Sequence, residues 1–85
     1  MNMSKSNKLS ETVAARIRAV MAARRLGLSD ISEFLNMSSD AVSRRLNGKV
    51  EFSLSEIEKF ASATGYSPSD FLASSFSLIP VEQAA

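Results

Sequence analysis

Asn36-Met37-Ser38-Ser39-Asp40-Ala41-Val42-Ser43-Arg44-Arg45-Leu46-Asn47-Gly48-Lys49 is the stretch that decides how this chain is read. It predicts a tight turn, then a short helix. Ser38 caps the start, with Met37 and Val42 as a hydrophobic staple. Asn47-Gly48 stops it, because glycine takes positive φ at no steric cost. Val42 and Leu46 lie four apart on one side and predict a buried face. The other side offers Ser39, Asp40, Ser43, Arg44 and Asn47, all small polar groups apart from one guanidinium.

Upstream, the spacing predicts a helix over Leu28–Leu35, with Gly27 as its cap, Leu26 and Ile31 as staple partners, and Ser29 as the alternative cap. Ile31, Phe34 and Leu35 face inward, and Ser32 is small enough to let the next helix approach. Asn36 follows, the non-glycine residue that best tolerates a left-handed backbone. Before it, Val13, Ile17, Val20 and Met21 make one apolar stripe of a helix over Glu11–Arg25, with Ser10 as its cap. Arg16, Arg18, Arg24 and Arg25 lie mostly off that stripe.

Downstream, Ser53-Leu54-Ser55-Glu56 is a capping box between the staple residues Phe52 and Ile57. Leu54, Ile57, Phe60 and Ala61 form the stripe of that fourth helix, which Gly65 ends. A fifth helix is expected from Ser67-Pro68-Ser69-Asp70, with proline at the first helical position and Tyr66 and Phe71 as staple. Pro80 argues against a helix through the tail.

The 85 residues make one small domain, divided as an N-terminal arm (1–10), a helical domain (11–73) and an apolar tail (74–85). Three glycines and two prolines favour helices over a turn-rich sheet fold. Cysteine and histidine are both absent, which removes disulfides, thiolate metal sites, the commonest metal ligand and the commonest general base. No apolar run approaches the roughly 20 residues that span a bilayer, and the N-terminus lacks the apolar region of a secretion signal. The expected location is the cytoplasm, on the nucleoid when bound to DNA.

Net charge is +1, but it is unevenly placed. Residues 1–50 carry nine Lys or Arg against four acids, giving +5, and residues 51–85 carry Lys59 against five acids, giving −4. Such polarity orients a molecule toward a polyanion.

Helices over 28–35 and from 39 onward, joined by Asn36-Met37-Ser38, have the form of a helix-turn-helix unit. The stretch from Ile31 to Lys49 resembles the Leu-Ala-x-x-Leu-Gly-Val-Ser-x-x-x-Val-Ser-x-x-Leu-Asn-Gly pattern of the lambda-repressor-like, Cro-type family. Phe52-Ser-Leu-Ser-Glu56 and Ala61-x-x-x-Gly65-Tyr66-Ser67 resemble that family's fourth helix and exit. The resemblance covers about residues 11 to 73 and implies an all-α, five-helix DNA-binding domain. It departs from the pattern at Leu28, where the family commonly has glutamine, at Asn36 for glycine, at Ser32 for alanine, and at Asp40, an acid in the reading region.

The resemblance implies that Ser39, Asp40, Ser43 and Arg44 touch base edges, while Asn47 and Gly48 offer side-chain and backbone groups to phosphate. Ser38 and Lys49 extend that phosphate patch. Arg44 is the best reader, since arginine forks onto guanine O6 and N7. Its alternative is a solvated arginine on a helix face. Arg45 points about 100° away and is expected beside Leu46, its head toward a phosphate or an acid. Asp40 accepts from cytosine N4, rejects phosphates, or only favours the helix start.

Enzyme chemistry has little support, and no metal, cofactor or small-molecule ligand is expected. Glu51, Glu56 and Glu58 read as solvent-facing charge. Phe71, Phe76, Leu78, Ile79 and Val81 either fold back on their own domain or pair with a second copy as a homodimer. Lys5 and Lys8 offer a mobile arm for the DNA backbone, against a default of plain tail. The sequence therefore reads as a transcriptional regulator of double-stranded DNA, expected to repress. The alternatives are an antitoxin, or a protein-binding adaptor using the tail as its partner site.

Overall fold

The computed structural model describes residues 8–78. Lys5, Ile79 and Val81 lie outside that range. Four α-helices follow in order: α1 Lys8–Arg24, α2 Leu28–Leu35, α3 Ser39–Leu46 and α4 Leu54–Thr64. Among the described residues a 3-10 turn, Pro68–Phe71, comes after them. No strand occurs among the described residues, and none of their helices is long and apolar enough to cross a membrane.

Local chemistry sets most boundaries. Gly27 caps α2 in an extended conformation, and its N–H donates to the Asp30 carboxylate at 2.8 Å. Asn36 ends α2 at φ 56°, ψ 52°, the left-handed geometry expected of it. The Ser38 hydroxyl accepts from the Ala41 N–H at 3.1 Å. At α4 the capping box is complete: the Glu56 N–H donates to Ser53 Oγ at 3.1 Å, and the Ser53 N–H donates to Glu56 Oε1 at 2.9 Å. Gly65 closes α4 at φ 84°.

The core collects one stripe from each helix. Val13, Ile17 and Val20 of α1 meet Ile31 and Leu35 of α2, Val42 and Leu46 of α3, and Ile57 and Phe60 of α4. Phe60 lies against Phe34 and Phe71, with ring centroids 6.4 and 5.7 Å away.

Three expectations need correction. α1 begins at Lys8, so Ser10 sits within its first turn and is not its cap; the last three residues of the expected arm are helical. The fifth helix is only the 3-10 turn. Ser67 starts it, its N–H donating to the Asp70 carboxylate at 2.9 Å. The Asp70 and Ala73 carbonyls at its end accept instead from Arg16 Nη1, at 3.0 and 2.6 Å. Two serines of modest helix propensity follow. Leu54, finally, is 72% exposed and off the core. It is the first residue of α4, where the helix end stands clear of the packed stripe.

The described part of the tail packs back on the domain. Phe76 stacks on Tyr66 at 5.5 Å and 21°, and lies 5.5 Å from Phe71. The Arg16 guanidinium covers its ring at 5.2 Å. Tyr66 donates its hydroxyl hydrogen to the Leu78 carbonyl. Phe71 is fully buried and Phe76 half-buried in their own domain. The domain's own aromatic cluster takes up Phe71 whole and Phe76 in part, the fold-back outcome, and nothing among the described residues supports a homodimer through them. Leu78 stays 46% exposed.

Candidate nucleic-acid interface

A reading helix must be rigid behind and open in front. Behind, α3 is held at both flanks. Arg18 of α1 donates to the Leu46 carbonyl at 2.6 Å, satisfying one of the orphan acceptors at the helix end. Arg45 donates through Nε to Glu56 Oε1 at 2.9 Å, and through Nη1 to the Ala41 carbonyl at 3.0 Å. Arg45 and Glu56 are 19% and 15% exposed at their side chains, so the pair is largely shielded. Of the two expected outlets for Arg45, the acid is the one taken.

Glu56 is thus not solvent-facing charge. Its carboxylate caps α4 and clamps α3 in one group. Burial alone would raise its pKa. Hydrogen bonds from Arg45 and the Ser53 N–H, with the Arg45 charge, outweigh that and hold it below the ordinary 4.5.

In front, nothing within the described residues covers the polar side of α3. Ser39, Asp40 and Arg44 are exposed, and Ser43 is partly so. Ser39 Oγ lies 3.3 Å from Ser32 Oγ, so the small residue of α2 meets α3 across the turn. Arg44 Nη2 pairs with Asp40 Oδ2 at 2.7 Å. Asn47 Nδ2 donates to Ser43 Oγ at 3.4 Å, a weak bond at best. Ser38, Asn47, Gly48 and Lys49 are all exposed beside this face. Ser38 has its hydroxyl engaged as the α3 cap.

Gly48 turns the chain at φ 81°, and no atom lies within 4 Å of where a Cβ would stand. Its need for glycine is therefore conformational. The N–H groups of Asn47, Gly48 and Lys49 donate to the carbonyls of Ser43, Arg45 and Arg44 at 3.0, 3.2 and 2.9 Å. These backbone donors are spent closing α3. What remains for an anion is the Asn47 amide and the Lys49 ammonium.

Arg18 is the site residue that sequence reasoning missed. It lines one cleft with Glu11, Ala14, Asn47 and Gly48, and so brings a cation to the end of α3. Its position off the α1 stripe was the available signal. Nothing in the sequence said which helix end it would meet.

A family model of the BetR domain matches residues 6–82. The chain belongs to the BetR-domain family. BetR domains are small, helix-turn-helix-like and DNA-binding. No curated protein and no solved structure matches this BetR domain. The helix-turn-helix of this one is α2, the Asn36-Met37-Ser38 turn and α3.

Proposed function

We propose that this BetR domain is a sequence-specific regulator of transcription that binds double-stranded DNA and represses by occupying an operator. The uncovered polar side of α3, fixed from behind by Arg18 and Glu56, is the observation that carries the reading. α3 enters the major groove. Ser39, Asp40, Ser43 and Arg44 face the bases, while the Asn47 amide and the Lys49 ammonium meet the phosphates, with Ser38, Gly48 and Arg18 beside them. The lambda-repressor-like layout is part of this proposal, with the 3-10 turn standing where that family has its fifth helix.

An eight-residue helix reaches few base pairs. The proposal therefore includes two copies on half-sites about 34–36 Å apart. Selection of bound duplexes from a random pool tests the whole reading, since site symmetry reports the number of copies. Recovery of no duplex at low salt contradicts it and favours the adaptor.

Single variants separate the two kinds of contact. Arg44→Ala is expected to relax preference at one base position by roughly 5- to 150-fold, the loss of one bidentate contact. Lys49→Ala is expected to weaken all duplexes alike and to lower the salt slope by about 1. Equal loss on every sequence from both variants contradicts the assignment.

A further inference from the structure

The arginines placed on α1 and α3 fall into two kinds. Arg16, Arg18, Arg24 and Arg45 each donate to a backbone carbonyl. Those bonds tie one segment to another or, for Arg45, accompany a shielded ion pair with α4. Arg44 is different. Its ion partner is Asp40, one turn back on the same helix, and the two side chains are 59% and 73% exposed. The pair joins no two elements and shields no charge.

Such an exposed pair biases helix stability by only about twofold. It also puts a carboxylate on the face that would meet a polyanionic duplex, which opposes sequence-independent binding. The pair therefore does little for folding, and its carboxylate acts on what approaches the helix. That leaves a role toward the ligand.

We propose that Asp40 is a positioning residue for specificity: it holds Arg44 to read guanine and keeps it from serving as a phosphate clamp. This rests on the reading of α3 as the groove helix. An α-helical side chain leans toward the N-terminus of its helix, and the pairing with Asp40 holds the Arg44 guanidinium at that end. Nη2 carries two hydrogens, and Asp40 needs one. The second, with those of Nη1 and Nε, is left to fork onto guanine O6 and N7. Where the base offers no such acceptor pair, Arg44 stays with Asp40. Remove Asp40, and the freed guanidinium reaches a phosphate on any sequence. The acid thus trades affinity for discrimination, by a repulsive element as well as an attractive one.

The test compares the full chain with Asp40→Ala, Arg44→Ala and the double variant, on duplexes from the random pool and on copies altered at each guanine. Alanine is used because asparagine itself forks onto adenine. Asp40→Ala is expected to tighten binding to altered duplexes threefold or more and to steepen the salt slope by about 1. It should also cut the guanine preference at the Arg44 position by about fivefold or more. Added to Arg44→Ala, it should change no base preference. Glu33→Gln, an exposed acid on α2, controls for plain charge and should leave base preference unchanged. If Arg44→Ala removes the guanine preference while Asp40→Ala keeps it, the positioning role is overturned and DNA reading stands. If the unaltered chain prefers no duplex, both fall.

Discussion

Glu56→Ala is expected to cost about 3 kcal/mol of stability, as two losses added together. The first is half of the α4 capping box: the Ser53 N–H, bonded to Glu56 Oε1 at 2.9 Å, loses its acceptor. Losing such a cap costs about 1 kcal/mol. The second is the partner of Arg45. At 19% exposure that guanidinium is left with its bond to the Ala41 carbonyl and no counter-charge. Stranding a shielded ion costs more than the pair was worth, because desolvation is no longer offset. For a domain of this size the loss corresponds to a melting-temperature drop of roughly 12–24 °C.

Glu56→Gln separates the parts. Glutamine can still serve the capping box, so only the charge toward Arg45 is removed and the loss should be about half. A double-mutant cycle with Arg45→Met isolates the coupling. Acid titration supplies an independent check. Because the folded carboxyl is held below its ordinary pKa of 4.5, its contribution is complete above that unfolded value. It is lost as pH falls through the lower folded value. Glu56→Gln should flatten that acid limb. Thermal unfolding by circular dichroism reads all three. A Glu56→Ala melt within a degree or two of the unaltered protein would remove the clamp from the account of α3.

What the sequence disclosed follows from the range of the forces involved. Caps and staples act within about five residues, and they are where reading succeeded. Ser38, the Ser53–Glu56 box, Asn36 and Gly65 placed the ends of α2, α3 and α4 as the structure has them. The buried face of α3, Val42 and Leu46, followed from helical period alone. Partners distant in sequence were not legible. Arg16, Arg18 and Arg24 bond carbonyls that lie 54, 28 and 40 residues away. Counted as charge they gave a basic half. Seen in place, they close the ends of three other segments, and Arg24 also covers the Tyr66 ring at 5.4 Å. The same distance hid the partner of the short fifth element, whose Asp70 and Ala73 carbonyls accept from Arg16 of α1. The outward polar face of the candidate site was readable, because it is the complement of the buried one. Its rear supports, and the Asp40–Arg44 pairing, required the fold.

Phe71→Ala is expected to cost about 3–5 kcal/mol, as much as Glu56→Ala or more. Phe71 is fully buried. Its ring contacts Phe60, Tyr66 and Phe76 at 5.7, 5.3 and 5.5 Å. Truncation opens a cavity at the junction of α4, the 3-10 turn and the tail. A domain of 85 residues has only about 4–13 kcal/mol in total, so the variant should be at or near half-unfolded in mild denaturant. The size of the loss also distinguishes two roles for the aromatic cluster. As internal packing, its loss is independent of protein concentration. Were Phe71 instead an intersubunit contact, the variant would remain a folded monomer whose partner affinity alone had fallen. Leu78→Ala supplies the contrast: that side chain is 46% exposed, and its truncation should cost less than about 1 kcal/mol. Denaturant titrations at two protein concentrations a hundredfold apart decide the matter. A cooperative, unshifted Phe71→Ala transition would mean that the aromatic cluster does not hold the tail to its own domain.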